Sequence, residues 1–352
     1  MADAASEVTT IAVDAMGGDH GPSITVAASI EFLRTHRQPW LHRIILVGKS
    51  EALTPVIADH HGADLVQAGL LRLHEASQVV DMDEPPAHAM KKKKDSSMRV
   101  AINLVKEGQA QACISAGNTG ALMATARFVL KTIDGIDRPA IVSTMPCQNP
   151  SNTVHMLDLG ANVDSTPEML VQFAVMGSVL TEYVDKKESP RVALLNVGAE
   201  EIKGSEKTKQ ASTLLAQSKL NYVGYIEANE LYSSKVDVIV CDGFEGNVAL
   251  KASEGTAGLI MNVLREEFGR SWLSKLAGLL TKPILKRMAR RIDPRHHNGA
   301  TLLGLNGIVV KSHGGADQVG FLHALQEANR QAERDVIGHI SEEIRKVFND
   351  IN

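Results

Sequence analysis

Cysteine is scarce in this chain. Its 352 residues include three, Cys113, Cys147 and Cys241, an odd number with no CxxC pair. Cys113 and Cys241 sit in apolar, strand-like runs, so they read as small core residues in a reducing compartment. Long apolar runs are also missing: none reaches the roughly 18–20 residues needed to span a bilayer. The opening MADAASEV has neither a basic nor an apolar signal region, and the chain reads as cytoplasmic. Nor is there an excess of either charge. Thirty-seven Lys and Arg against 41 Asp and Glu give a net charge of -4. Nothing in that balance points to nucleic acid, and any anion site has to come from local patches. No GxxxxGK[ST] argues for a P-loop, and no strand-linked GxGxxG for a classical dinucleotide site. No HExxH, CxxC or tight His cluster argues for a metal, and His296-His297 reads as a loop.

What is present is alternation. Short β-branched runs are predicted as strands at Thr10–Asp14, Arg43–Val47, Leu70–His74, Ala112–Ser115, Ala140–Thr144, Thr153–Leu157, Val192–Asn196, Tyr222–Glu227, Val236–Cys241 and Ile308–Lys311. Helical spacing is predicted over Ser97–Lys106, Thr119–Lys131, Pro167–Tyr183, Gly246–Phe268 and Ala316–Val347. This pattern predicts βαβ units and a mostly parallel sheet covered on both faces, a three-layer α/β/α sandwich. There is no internal repeat and no low-complexity linker. Residues 1–8 read as a flexible N-terminus and 9–347 as one α/β/α catalytic domain.

The loops after the strands carry the chemistry, because open parallel sheets bind ligands beyond the carboxyl ends of their strands. Six are rich in Gly, Asn and charge: Asp14–Asp19, Ala116–Gly120, Asp158–Asp164, Asn196–Gly204, Asp242–Asn247 and Lys311–Gly315. All six are expected at one end of one sheet. Glycine lets a backbone approach a ligand, and helix N-termini offer free N–H groups to phosphate. Gly117, Asn118, Thr119 and Gly120 are expected to cradle an anion. Asp158 and Asn162 would orient neighbouring groups, and Gly246 opens a helix. Asp14, Gly17, Gly18 and Asp19 are expected to organise loops and let the chain pass close to substrate, since carboxylates repel phosphate.

One segment breaks the alternation. Arg270–Ile292 holds seven Lys or Arg and no acid, with Leu, Ile, Met and Trp at mostly helical spacing. Within 269–295 this reads as a basic amphipathic element, which Pro283 should kink or split. Five of its seven cations, Lys275, Lys282, Lys286, Arg287 and Arg290, are candidates for contact with a partner or membrane. A second basic run, Lys91, Lys92, Lys93 and Lys94, precedes Asp95-Ser96-Ser97, which reads as a helix cap.

The runs IAVDAMGGDHGP, EPPAHAMKKKKDSSMRVA, ISAGNTGALM, LDLGANVD, LVQFAVMGSVL, ALLNVGAEEIKG, CDGFEGNVALK and GIVVKSHG, spread in order from about residue 9 to about 340, resemble the bacterial phosphate acyltransferase family. The resemblance implies a Rossmann-like α/β/α fold of the isocitrate/isopropylmalate dehydrogenase and phosphotransacetylase type, in a homodimer. It implies transfer of a long-chain acyl group from acyl-carrier-protein thioester to inorganic phosphate, with no metal or organic cofactor. A membrane-bound glycerol-3-phosphate acyltransferase would consume the acyl phosphate.

For such a reaction the site has to position two reactants and stabilise an oxyanion; phosphate is already a nucleophile and a thioester is already activated. Lys203, beside Gly204, is expected to hold phosphate, and Asn247 to donate to the oxyanion or to phosphate while capping its helix. His313 with Lys311 is a further candidate for phosphate binding or proton transfer. The two basic segments are candidates for the acidic carrier protein, and 270–292 also for an anionic membrane surface. Two alternatives stand beside this reading. An NAD-dependent β-decarboxylating dehydrogenase on the same fold would need an arginine set and an aspartate metal cluster. A membrane-associated scaffold of lipid-synthesis enzymes would not need six polar loops.

Overall fold

The computed structural model describes residues 8–35, 42–149, 152–293, 295 and 298–351. Most of the expected flexible N-terminus and the pair His296-His297 lie outside the described residues. The strands are β1 (Thr9–Asp14), β2 (His42–Gly48), β3 (Leu71–Glu75), β4 (Ala112–Ser115), β5 (Ala140–Met145), β6 (Val154–Leu157), β7 (Val192–Leu195), β8 (Tyr222–Ile226), β9 (Val238–Val240), β10 (Ala300–Leu303) and β11 (Ile308–Lys311). The helices are α1 (Pro22–Thr35), α2 (Ser50–Asp59), α3 (Ala63–Gln67), α4 (Pro86–Lys92), α5 (Ser97–Lys106), α6 (Thr119–Leu130), α7 (Pro167–Val184), α8 (Glu206–Gln217), α9 (Gly243–Gly269), α10 (Trp272–Ile292), α11 (Gln318–Glu333) and α12 (Val336–Ile351).

All eleven strands join one sheet in the order β3-β2-β1-β4-β11-β10-β5-β6-β9-β7-β8. Successive side chains point to opposite faces, and in the central strands both sets are apolar and buried. Ile11 and Val13 of β1, Ile114 of β4 and Val310 of β11 pack under α1, α2 and α11. Ala12, Cys113 and Val309 point the other way, against α5 and α6. In the second half, Leu157, Val192, Leu194 and Val240 pack under α7, α8 and α12. The result is the expected three-layer sandwich. Cys113 and Cys241 are buried in it, and burial pushes both thiols well up.

The sheet is mostly parallel, as expected, but its direction reverses in the middle. β3, β2, β1, β4 and β11 run parallel. β10 is antiparallel to both β11 and β5, and β5 is antiparallel to β6. β6, β9, β7 and β8 are then parallel again. Three reversals between β11 and β6 leave the two parallel halves of the sheet pointing in opposite directions. The six loops therefore do not gather at one end. Those after β1, β4 and β11 leave one end, and those after β6, β7 and β9 leave the other.

Three helical boundaries also differ. The stretch predicted as one helix over 316–347 is two, α11 and α12, broken where Asp335 takes φ 45. α9 begins at Gly243, with Asp242 as its cap, three residues earlier than its spacing indicated. α10 runs through Pro283 without splitting; the break falls at Arg270–Ser271, where the Ser271 hydroxyl caps α10 by accepting from Ser274 N at 3.0 Å. Pro283 is exposed, so water can take the carbonyl that its missing N–H leaves free. Among the described residues, no helix is long and apolar enough to cross a membrane.

Candidate functional site

At the β1/β4/β11 end, three loops interlock. The Asp14 carboxylate, almost fully buried, accepts from Ser115 Oγ at 2.6 Å. Burial pushes its pKa up, against hydrogen bonds from Ser115 and Ser97. A side chain at Gly17 would meet Asp14 Oδ2 at 2.6 Å and Gly117 N at 2.8 Å. Gly18 takes φ +90 against Ala116 and Gly314 O. These glycines bring loop against loop. Asp19 N donates to Gly314 O at 2.9 Å, which ties the β1 loop to the β11 loop.

Lys311 ends β11 nearly buried. Its Nζ donates to the carbonyls of Ala116, at 3.2 Å, and Ser312. Burial lowers its pKa to about 8, with Asp14 and Asp19 opposing the shift. His313 beside it is exposed, and its Nδ1 accepts from Gly315 N at 3.2 Å. Asn118 caps α6, its Oδ1 accepting from Ala121 N at 2.9 Å. Its Nδ2 donates to Met82 O at 2.8 Å and Glu84 O at 3.0 Å. Both donors of that amide are spent on the scaffold, so the expected Asn118 ligand is a loop tie. The anion-binding capacity of this loop rests on the first-turn N–H groups of Thr119 and Gly120, which the cap leaves unused.

At the β6/β7/β9 end, Asp158 is fully buried and accepts from Ile141 N (2.8 Å), Ala161 N (3.0 Å), Asn162 N (2.7 Å) and Asn162 Nδ2 (2.9 Å). Asn162 Nδ2 also donates to Pro139 O at 2.8 Å, and Asn162 O accepts from Gly243 N at 2.9 Å. Asp158 and Asn162 thus position the loop and the start of α9. Gly246 packs so closely that an added Cβ would sit 1.9 Å from Asp158 O. Asn247, one turn into α9 and so not its cap, lies half-buried over Gly160. Among the described residues, its side-chain amide has no partner within the chain. That distinguishes it from Asn118, Asn162 and Asn196, whose amides are all engaged.

Lys203 leaves the β7 loop half-exposed, paired with Glu200 at 2.8 Å, and that pairing raises its pKa. Sequence reasoning missed Lys207, four residues on in the first turn of α8. Its Nζ lies 2.8 Å from Asp242 and 3.8 Å from Asp164. Burial raises Asp242, but the bonds from Lys207, Ser165 and Phe244 hold it below the usual range. Around this end, Val163, Val197, Ile202, Phe244 and Val248 are all more than half exposed.

The basic segments are placed unequally. Lys91, Lys92 and Lys94 are exposed, but Lys93 turns inward, donating to Val79 O at 2.8 Å and lying 3.5 Å from Glu84. Ser96 caps α5 as its sequence indicated. Lys275, Lys282, Lys286 and Arg287 are exposed on α10; the side chain of Arg290 lies outside the described residues.

The α/β/α fold is one shared with solved phosphotransacetylases. The EutD phosphotransacetylase from Staphylococcus aureus superposes with a TM-score of 0.58 at 16% identity, covering 92% of this chain and 94% of that one. The family model described as fatty acid synthesis protein matches residues 9–339. A phosphate acyltransferase of Legionella pneumophila (strain Paris) is 53% identical over 97% of both chains. One of Chromobacterium violaceum is 56% identical over the same shares. The chain belongs to this fatty acid synthesis protein family, whose named relatives are phosphate acyltransferases.

Proposed function

We propose that this protein transfers a long-chain acyl group from an acyl-carrier-protein thioester to inorganic phosphate, giving acyl phosphate and free carrier thiol. The observation that carries the reading is the identity of more than half the residues to phosphate acyltransferases along nearly the whole chain. A phosphate oxygen attacks the thioester carbon, the C–S bond breaks, and the thiol leaves with the proton that phosphate gives up. No acyl-enzyme is needed. Lys203 exchanges Glu200 for phosphate and offsets its charge, and the unspent amide of Asn247 donates to the oxyanion.

Lys203 and Asn247 stand at the opposite end of the sheet from Lys311, His313 and the α6 N-terminus. A homodimer reconciles them. A two-fold axis that covers the apolar rim around the β6/β7/β9 loops sets that end of each copy against the β1/β4/β11 end of the other. The α9–α10 hairpin, with Leu273, Leu279, Leu280 and Ile284 exposed among its cations, rests on an anionic membrane surface. There it hands the acyl phosphate to a membrane-bound glycerol-3-phosphate acyltransferase. The test is incubation with a long-chain acyl carrier protein and phosphate. Acyl phosphate formed one-for-one with free carrier supports the reading; hydrolysis to fatty acid in place of acyl phosphate overturns it.

A further inference from the structure

A second face of this molecule carries cations that the chain itself does not pair with acids. It is the outer side of α4, α5 and α6. Lys91, Lys92 and Lys94 are exposed at the end of α4. Arg99 of α5 and Lys131, just beyond α6, both rest on the ring of Phe128, at 5.1 and 4.9 Å from its centroid. Burial, and after it the like charge of Arg138, lowers the pKa of Arg127. Among the described residues, none of these seven cations is in an ion pair. Two of the acids beside them are already engaged, Glu84 by His88 and Lys93, and Asp95 by the Ser77 hydroxyl and N–H. Like charges held together without counterions disfavour the free protein unless an anionic partner meets them. At their centre Phe128 is half exposed, a single aromatic anchor ringed by cations.

We infer that this α4–α6 face is the docking surface for the acidic carrier protein, an inference that rests on the acyl-transfer reading above. The partner is a folded acidic protein and not a bilayer, because the face offers one aromatic side chain where α10 offers an apolar stripe. The location also fits. α6 leads from Phe128 back to the Gly117–Asn118 loop over ten residues, about 15 Å of helix. Asn118 clamps the approach to α4 through Met82 and Glu84, so docking surface and strand-end loops form one rigid unit. A carrier seated over Phe128 delivers its arm to the β1/β4/β11 end.

The test uses the full-length protein with two donors, acyl carrier protein and carrier-free acyl pantetheine, together with a binding titration of unacylated carrier protein. In Arg127→Glu/Lys131→Glu the KM for acyl carrier protein should rise by about tenfold or more, and carrier binding should weaken equally. Turnover of acyl pantetheine should stay within about twofold of the parent. Phe128→Ala should weaken carrier binding by about tenfold without altering charge, which separates anchoring from electrostatics. Unchanged KM and binding in the charge reversal overturn the surface. So does a loss produced only by Lys282→Glu/Lys286→Glu on α10. If the parent binds carrier through this face but makes no acyl phosphate, the surface stands and the acyl-transfer reading falls.

Discussion

Gly246→Ala and Gly258→Ala make the same chemical change in the same helix, and the structure assigns them opposite signs. At Gly246 the new Cβ would lie 1.9 Å from Asp158 O and 2.8 Å from Cys241 Sγ. The first of these is backbone, in a loop pinned by four hydrogen bonds to the Asp158 carboxylate. It cannot swing aside as a flexible side chain would. Overpacking of this kind costs about 1–3 kcal/mol, and a backbone obstacle puts it at the upper end. Alanine returns about 1 kcal/mol of helix propensity. The net is a loss of about 2 kcal/mol. At Gly258 a new Cβ would meet nothing within 4 Å, so only the gain of about 1 kcal/mol remains. Urea denaturation of the two variants beside the parent should show them on opposite sides of it, about 3 kcal/mol apart. Acyl phosphate formation should fall in Gly246→Ala, because α9 shifts and takes Asn247 with it. A Gly246→Ala protein as stable as the parent would refute the close seating of α9 on the Asp158 loop.

Further outcomes follow from other residues. Lys203→Ala should cut turnover by about a hundredfold or more and leave the denaturation midpoint unchanged, since its one partner is the exposed Glu200. Mixing inactive Lys203→Ala with inactive Lys311→Ala under subunit exchange should restore about a quarter of parental activity if each site draws on both copies; no recovery after verified exchange excludes that arrangement. Burial raises Asp237, but Arg191 and Lys187 overcome this and hold it at about 2. Its contribution to stability is therefore present above the ordinary carboxylate pKa of 3.8 and fades as pH falls from about 4 towards 2. Asp237→Asn should lower stability at neutral pH and flatten that acid limb in pH-dependent urea titrations. Leu280→Glu on α10 should abolish flotation with anionic liposomes; unchanged flotation removes α10 as the membrane contact.

Ten of the eleven strands overlap runs that period and β-branching pick out, because strands buried on both faces must be apolar throughout. The exception, β10, reads ATLL, four residues without a β-branched cluster, and it is one of the two strands whose antiparallel pairing turns the sheet around. No local pattern encodes that reversal, so six loops that look equivalent in sequence divide into two groups of three. The site was legible to the level of loops and not of side-chain duties. Asn118 and Asn247 look alike as residues near helix starts. One is consumed by carbonyls 34 and 36 positions away, while the other keeps its amide. Lys93 is lost from a run of four lysines for the same reason: the buried Glu84 and the Val79 carbonyl that claim it are not its neighbours in sequence.

In the proposed reaction phosphate itself attacks the thioester. Thiol release from long-chain acyl carrier protein, followed over one turnover with and without phosphate and with mass analysis of the intact protein, tests it most directly. Direct attack predicts no thiol in the absence of phosphate, thiol and acyl phosphate in equal amounts when it is present, and a protein mass that never rises by an acyl group. A burst of thiol without phosphate, accompanied by an acylated protein, would contradict it.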